Sequence, residues 1–283
     1  MTSDISVYID QVDEAVAFLR KFISAPPEIA IQLGTGLGSL ARQVTVTQSI
    51  DYADIPFFPR STVSSHEGRL IIGLLNNVPV IILSGRFHYY EGYDTRQVTF
   101  PIRVIRGLGA RTLILTNAAG GLNPLFLPGT IMVIRDHLNF LGENPLRGPN
   151  VDAWGPRFPD LSHAYPPDLI RTALDCADNS GIKNVVTGIY VCIPGPSLET
   201  PAETRWLMDA GGDAVGMSSV PEVIVAVHGG MQVVGLSVIA NVNNPDNMQP
   251  ISLEQIIETA SAAEPRLELL VVELISRITA EHG

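Results

Sequence analysis

The chain has 283 residues, and 29 acidic against 18 basic residues give it a formal net charge of −11 at pH 7. Because it has no block of Lys or Arg, its charge argues against nucleic acid or an anionic membrane as partner, though not against a small anion in a locally positive pocket. Its 46% hydrophobic and 17% charged residues predict a well-buried core. No apolar run approaches the roughly 18 residues of a membrane span and no basic leader is present, so we expect a cytoplasmic protein.

Hydrophobic periodicity predicts helices and strands that alternate along the chain. Strands are predicted at residues 28–33, 69–75, 78–84, 112–116, 130–134, 185–192, 213–216 and 233–241. Helices are predicted at residues 5–23, 96–109, 168–180, 201–210, 220–228 and 253–278. Runs of Val, Ile and Leu that alternate with helices are typical of a largely parallel sheet covered on both faces, and the closely spaced early strands favour a mixed one. We predict an α/β fold with a central mixed β-sheet flanked by helices on both faces.

The sequence shows no sign of a domain boundary, a metal site or a disulfide. We see no repeat and no domain boundary, so a single domain over residues 1–283 is predicted. The segment 142–167 holds six prolines and little periodicity, and a loop of that length is more often functional than idle. Cys176 and Cys192 lack C-x-x-C spacing and the histidines form no cluster, so we expect neither a metal nor a disulfide.

The segment 84–94, Ser-Gly-Arg-Phe-His-Tyr-Tyr-Glu-Gly-Tyr-Asp, carries the strongest chemical signal. It follows an apolar strand, and Arg86 and His88 alternate along an extended backbone, so both side chains can point the same way. A guanidinium and an imidazole on one side suit phosphate. Glu91 is placed to fix the protonation state of a neighbour. The alternative is a surface loop whose charges pair with each other.

Other predicted strands also end in small and polar residues. Gly34 to Gly38 could cradle an anion with backbone N–H groups, although its third glycine comes one position early for a dinucleotide fingerprint and an ordinary tight turn is the alternative. Similar clusters lie at residues 116–123, 195–201, 215–222 and 237–241. Several such strand ends predict one crevice at the carboxyl edge of the sheet.

Taken together, these segments resemble the trimeric purine nucleoside phosphorylase family, whose superfamily includes the methylthioadenosine phosphorylases. The resemblance runs from about the first helix to the C-terminus and keeps the order and spacing of the family's motifs. It rests on residues 34–38, 62–68, 85–92, 116–123, 195–200, 216–222 and Asn241. It implies a nucleoside phosphorylase-like fold and a homotrimer. It also implies inorganic phosphate as co-substrate and no cofactor.

The resemblance also implies a role for particular residues. The phosphate site would comprise Thr35, His66, Arg86, His88, Ala118 and Ser218. The nucleoside would contact Tyr90, Ala119, Phe158, Leu198, Glu199, Gly216, Met217, Asn241 and Leu253. The catalytic residues would be His88, Glu91, Glu199 and Asn241. Phe158, in the proline-rich segment, would complete the ribose site of an adjacent subunit.

The implied activity is phosphate-dependent, reversible cleavage of the N-glycosidic bond in inosine, guanosine and their deoxy forms, which yields a free base and (deoxy)ribose 1-phosphate for purine salvage. Asn241 would bond N7 and O6 as negative charge builds on the departing purine. Glu199 would accept from N1–H, which adenine lacks. Asparagine at 241, where relatives specific for 6-aminopurines carry aspartate, points to 6-oxopurines.

Two positions depart from the family pattern. Leu253 stands where the family's nucleoside phosphorylases carry a histidine for the ribose 5′-hydroxyl, and Ala240 replaces a common threonine. Either water satisfies the 5′-hydroxyl, or the substrate is a 5′-methylthio nucleoside. The sequence also leaves open a phosphate-independent hydrolase, a dinucleotide-binding oxidoreductase and a non-catalytic nucleoside-binding protein.

Overall fold

The computed structural model of the protein describes residues 2–34, 38–60 and 67–282. Within these residues the strands are β1 Ile29–Gln32, β2 Thr45–Asp51, β3 Arg69–Leu75, β4 Val78–Ser84, β5 Thr112–Gly121, β6 Ile131–Asn139, β7 Val185–Cys192, β8 Ala214–Gly216 and β9 Gln232–Val242. The α-helices are α1 Thr2–Arg20, α2 Thr95–Leu108, α3 Pro167–Asn179, α4 Pro201–Asp209, α5 Val220–His228 and α6 Leu253–His282.

The described strands form one nine-stranded mixed sheet in the order β2-β3-β4-β1-β5-β8-β7-β6-β9. Strand β5 also pairs with β9, so β5, β8, β7, β6 and β9 close into a ring from which the other four extend. Strand β1 is parallel to both β4 and β5, whereas β2, β3 and β4 form an antiparallel meander. The predicted mixed sheet is confirmed.

Helices cover the sheet on both faces, as predicted. One hydrophobic cluster joins α1, α2 and α5 to the sheet through residues such as Leu19, Ile105 and Val223. A second joins α3 and α6 to the opposite face, with Ala173 and Leu270 fully buried. Burying aliphatic side chains at about 25 cal/mol per Å² is the main stabilising contribution of both layers.

The α2 helix shows how local sequence fixes a boundary near the site. Asp94 is its N-cap and accepts from the backbone N–H of Gln97, while the Gln97 side chain accepts from the backbone N–H of Asp94. Gly109, with φ 117°, ends the helix in the left-handed conformation. The helix therefore begins directly after the segment that carries Arg86 and His88.

Most predicted elements are found, with several differences. Strand β6 runs on to Asn139 rather than ending at residue 134. Strands 69–75, 78–84 and 185–192 and helix 220–228 have the predicted bounds. Strand β2 is absent from the predicted set, since six of its seven residues are exposed and it lacks an apolar face. Strand β5 runs on to Gly121, so the polar segment that begins at Thr116 lies within a strand rather than after it. Helix α6 extends beyond the predicted end to His282.

The proline-rich segment 142–167 is irregular up to the start of α3, as expected. Trp154 fixes it to the helical layer: its ring contacts Tyr8 edge-on and lies 4.8 Å from the Arg103 guanidinium. Cys176 and Cys192 are both buried thiols. Among the described residues, no helix has the length and hydropathy needed to cross a membrane.

Candidate active site

A cavity opens where β5, β8 and β9 end, and most of the predicted site residues line it. They are Arg86, His88, Tyr90, Ala118, Ala119, Leu198, Glu199, Gly216, Met217, Ser218, Asn241 and Leu253. These residues come from parts of the chain far apart in sequence, so the predicted crevice is present as a single cavity. Their chemical roles stay predictions. Thr35 and His66 lie outside the described residues.

Arg86 is the centre of the charged side of the cavity. Its side chain is only 1% exposed, and Nη1 donates to Ser218 Oγ at 3.0 Å and to Ser219 Oγ at 3.4 Å. The chain reaches this position through Gly85, whose φ of 113° is one that L side chains rarely adopt. The guanidinium is therefore a buried cation at the cavity wall, held by two hydroxyl groups.

Glu222 provides the counter-charge. It is fully buried on the first turn of α5, and its Oε1 lies 3.7 Å from Arg86 Nε. Burial raises the pKa of Glu222, while the Arg86 cation acts in the opposite direction. Since burial of an unpaired charge is costly, each of these two groups makes the other tolerable inside the protein.

The turn between β8 and α5 is held in an unusual conformation. Ser219 has φ 69°, which is uncommon for a residue with a side chain, and the Asn117 amide donates to its Oγ at 2.9 Å. Ser218 and Ser219 thereby face Arg86 at the N-terminus of α5. A helix N-terminus carries partial positive charge and adds to the attraction that Arg86 exerts on an anion.

His88 is oriented by Glu91. Glu91 Oε1 lies 2.9 Å from His88 Nδ1 and also accepts from the His88 backbone N–H at 2.8 Å. The carboxylate thus holds a proton on Nδ1, so Nε2 is the ring nitrogen on the cavity side. The imidazole stacks on Tyr90, with centroids 4.6 Å apart and planes inclined by 17°. Glu91 itself lies behind the ring and does not line the cavity.

A second part of the cavity lining carries Glu199 and Asn241. Glu199 precedes the Thr200 N-cap of α4 and is half-buried, and this burial raises its pKa. Asn241 lies near the end of β9, where its Nδ2 donates to Asn243 Oδ1 at 2.7 Å. A carboxylate acceptor and an amide can together read the polar edge of a planar heterocycle.

Tyr90, Met217 and Gly216 are less polar parts of the cavity lining. Burial raises the pKa of Tyr90 to about 12, so its phenol is neutral at physiological pH. Gly216 is required by close approach, because a Cβ there would lie 2.3 Å from the Tyr190 hydroxyl. The glycine therefore lets the end of β8 pack against the buried Tyr190 side chain.

Some residues around the cavity lie outside the predicted set. Among the described residues, Asn117, Gly120, Val215, Ala240, Asn243, Ile251 and Ile256 also line it, and Glu222 lies behind Arg86. The spacing of two between Asn241 and Asn243 is a signal for Asn243, because it places both on one strand face. Phe158 does not line the cavity of its own chain and is 86% exposed, with the Arg157 guanidinium 5.6 Å from its ring.

Comparisons with known sequences identify the family of this chain. The family model described as the phosphorylase superfamily matches residues 28–276. Purine nucleoside phosphorylase 1 of Geobacillus stearothermophilus is 50% identical over 248 residues, which cover 88% of this chain and 90% of that protein. The purine nucleoside phosphorylase of Bos taurus is 46% identical over 277 residues, and 96% of each chain is covered.

Solved structures of purine nucleoside phosphorylases are also similar to this chain. A Schistosoma purine nucleoside phosphorylase in complex with hypoxanthine matches with a TM-score of 0.88 at 38% identity, over 94% of this chain and 96% of that one. The Schistosoma mansoni enzyme in complex with adenosine matches with a TM-score of 0.89 at the same identity, over 94% of this chain and 96% of that one. The resemblance inferred from the motifs is confirmed: this chain belongs to the phosphorylase superfamily and, within it, to the purine nucleoside phosphorylases.

Proposed function

We propose that this protein cleaves 6-oxopurine nucleosides with inorganic phosphate. Inosine, guanosine or their deoxy forms would yield the free purine and (deoxy)ribose 1-phosphate, in a reversible reaction that serves purine salvage. The observation that carries this proposal is the arrangement of the cavity. Buried Arg86 lies on one side of it, and Glu199 and Asn241 line the same space.

The charged side suits a phosphate nucleophile. Arg86 supplies donors, Ser218 adds a hydroxyl, and the N-terminus of α5 adds partial positive charge. With its Nδ1 proton on Glu91, His88 accepts through Nε2 from the O–H of a hydrogen phosphate. A phosphate oxygen held there attacks C1′ while the C1′–N9 bond breaks, through a sugar with oxocarbenium character. Fixing the dianion next to the reacting carbon is mainly a proximity effect. Glu91 keeps the His88 ring turned towards the phosphate.

The base side suits a purine that leaves with negative charge. The electron pair of the broken C1′–N9 bond goes to the ring, and N7 gains a proton from water as negative charge builds there. Asn241 then accepts from N7–H through Oδ1 and donates to O6 through Nδ2. Glu199 accepts from N1–H, which a 6-oxopurine has and adenine lacks. Its raised pKa reflects a partly desolvated carboxylate, so a hydrogen bond to it is stronger than one in water.

The assembly, cofactor and location also belong to this proposal. Phe158 is 86% exposed on a segment fixed by Trp154, a position suited to entering the sugar site of a neighbouring copy in a homotrimer. Phosphate is a co-substrate, and the acid–base and electrostatic steps above use no cofactor. The two buried thiols suit the reducing cytoplasm.

A phosphate-dependence assay tests the proposal. The purified protein is incubated with inosine with and without phosphate, and hypoxanthine and ribose 1-phosphate are quantified by chromatography. We expect both products in equal amounts, and only when phosphate is present. Equal cleavage without phosphate would identify a hydrolase, and no cleavage would leave a nucleoside-binding protein. Tight binding of NAD(P) would favour an oxidoreductase instead.

A second candidate substrate is a 5′-methylthio nucleoside. Ile251, Leu253 and Ile256 line the cavity together and form an apolar patch. Such a patch stabilises a methylthio group by burial but leaves a 5′-hydroxyl dependent on water. Comparing kcat/KM for inosine, methylthioinosine and methylthioadenosine at saturating phosphate separates the two substrates.

A further inference from the structure

The side-chain amide of Asn241 can point in two directions that place different atoms on the base. An asparagine amide carries an acceptor oxygen and an NH2 donor group on nearly isosteric ends, so rotation by 180° about its last bond exchanges them. In the proposed reaction, Oδ1 faces N7 and an N–H of Nδ2 faces the 6-substituent. A 6-oxo group accepts from that N–H, whereas a 6-amino group presents a second donor to it.

Asn243 contacts the end of this amide that decides between the two directions. Asn241 Nδ2 donates to Asn243 Oδ1 at 2.7 Å. Asn243 is 6% exposed, and its backbone N–H donates to Gly121 O at 2.9 Å, which continues the β5–β9 ladder beyond the last strand residue. This bond fixes the backbone from which the Asn243 side chain reaches Asn241. A reversed Asn241 would bring two acceptor oxygens together unless Asn243 also turned.

We infer that Asn243 is a positioning residue that locks the Asn241 amide in the direction that accepts 6-oxopurines and rejects 6-aminopurines. This inference rests on the proposed function and adds a second source of base selectivity to Glu199. Glu199 reads N1, whereas the Asn241–Asn243 pair reads the 6-substituent. Without Asn243, Asn241 can turn, accept from a 6-amino group through Oδ1 and donate to an unprotonated N7.

Two variants of Asn243 distinguish its effect on the direction of the Asn241 amide from a purely structural role. Asn243→Ala removes the acceptor and frees the Asn241 amide. Asn243→Asp keeps an acceptor of the same shape and has no donor, so it can hold Asn241 only in the observed direction. The charge of Asn243→Asp lowers the rates with both bases, because each leaves with negative charge. Val242→Ala is the control, since Val242 points to the other face of the strand.

The measured quantity is the ratio of kcat/KM for inosine to that for adenosine at saturating phosphate. This ratio does not depend on the amount of active enzyme, so partial misfolding of a variant leaves it unchanged. We expect Asn243→Ala to lower the ratio at least tenfold, and Asn243→Asp and Val242→Ala to stay within threefold of the wild type. Calorimetric binding of hypoxanthine and adenine to each variant should show the same order.

Any other pattern overturns the inference. A ratio in Asn243→Ala within threefold of the wild type would mean that Asn241 keeps its direction unaided. A tenfold fall in Asn243→Asp as well would mean that Asn243 acts through its donor or its packing. Failure of the proposed function is distinct from both, because the wild-type protein itself would then not cleave inosine in the presence of phosphate.

Discussion

The two sides of the cavity are built differently. On the charged side, Arg86 and Glu222 are 1% and 0% exposed, and the contacts around them join the end of β4, the start of α5 and β5. On the base side, Leu198 is 49% exposed and Glu199 is half-buried on a loop. There the Asn241 amide is held by a side-chain hydrogen bond to Asn243.

This contrast predicts different consequences of mutation. A site for a transferred anion needs fixed dipoles and charges, because reorienting them during the reaction would raise the activation barrier. The charged side has this rigidity, and its charges are also part of the core. Changes there should reduce catalysis and stability together, whereas changes on the base side should alter which nucleoside is used and leave the fold intact.

The largest effect is expected for Arg86→Gln. Loss of the guanidinium removes the principal phosphate donor, so kcat/KM for phosphate should fall about a thousandfold. Glu222 then remains buried without a cation, which lowers the melting temperature. Burial raises the pKa of Glu222 and the Arg86 cation lowers it, so loss of Arg86 raises this pKa further. The stability gap to the wild type should therefore widen as pH rises and narrow as it falls.

A double variant separates the two losses. Adding Glu222→Gln to Arg86→Gln removes the uncompensated carboxyl, so most of the stability should return while activity stays low. Arg111→Gln is the surface control, since Arg111 is 77% exposed and its Nη1 lies 4.0 Å from Oε1 of an exposed Glu28. Arg111→Gln should change the free energy of unfolding by less than about 1 kcal/mol. Full activity in Arg86→Gln would contradict the proposed phosphate site.

Asn241→Ala should give the next largest effect. Removing the amide that stabilises the departing purine should lower kcat/KM for inosine on the order of a hundredfold or more. The melting temperature should change little, because Asn241 is only partly buried and lies at the end of its strand. Steady-state kinetics and thermal denaturation measure the two quantities. A loss below fivefold would refute the assigned role.

Much of the fold follows from local pattern. The run at 78–84 is apolar and short, and it forms β4 with the predicted bounds. Strand β2 is not predictable from the sequence pattern, because most of its residues are exposed and the strand pairs only with β3 at the edge of the sheet. The ring closed by β5 and β9 is not predictable from local pattern either, since it depends on pairing between residues as far apart in sequence as 112 and 232.

Some residues of the candidate site can likewise be predicted from the sequence, and others cannot. Arg86 and His88 are predictable from their alternation on an extended backbone, and both line the cavity. Glu222 is visible in the sequence only as part of a motif, because Val-Pro-Glu does not reveal that a carboxylate is fully buried beside Arg86. The strained Ser219 is likewise invisible, since a serine at a helix start is ordinary and its φ of 69° is set by tertiary contacts.

The pH dependence of inosine cleavage in Glu199→Gln tests the role of Glu199 on the base side. Burial raises the pKa of Glu199 above its usual range, so the wild type should lose inosine cleavage as pH falls through that raised value, because the protonated carboxyl accepts more weakly from N1–H. The amide cannot titrate, so this acidic limb should vanish in the variant. At neutral pH its kcat/KM should be about tenfold lower, as expected for loss of one charge-assisted hydrogen bond. An unchanged limb would assign the titration to another group.

The smallest effect is expected for Leu253→His, at the least constrained edge of the cavity. Leu253 is 56% exposed and begins α6, so a polar substitution there costs little stability. An imidazole that bonds the 5′-hydroxyl should raise kcat/KM for inosine about three- to tenfold, as one net hydrogen bond would, and lower it for methylthioinosine. Leu253→Met, which conserves volume and polarity, is the control. If both substrates respond equally to histidine, Leu253 does not face the 5′ position, and selectivity at that end of the nucleoside lies elsewhere in the apolar patch.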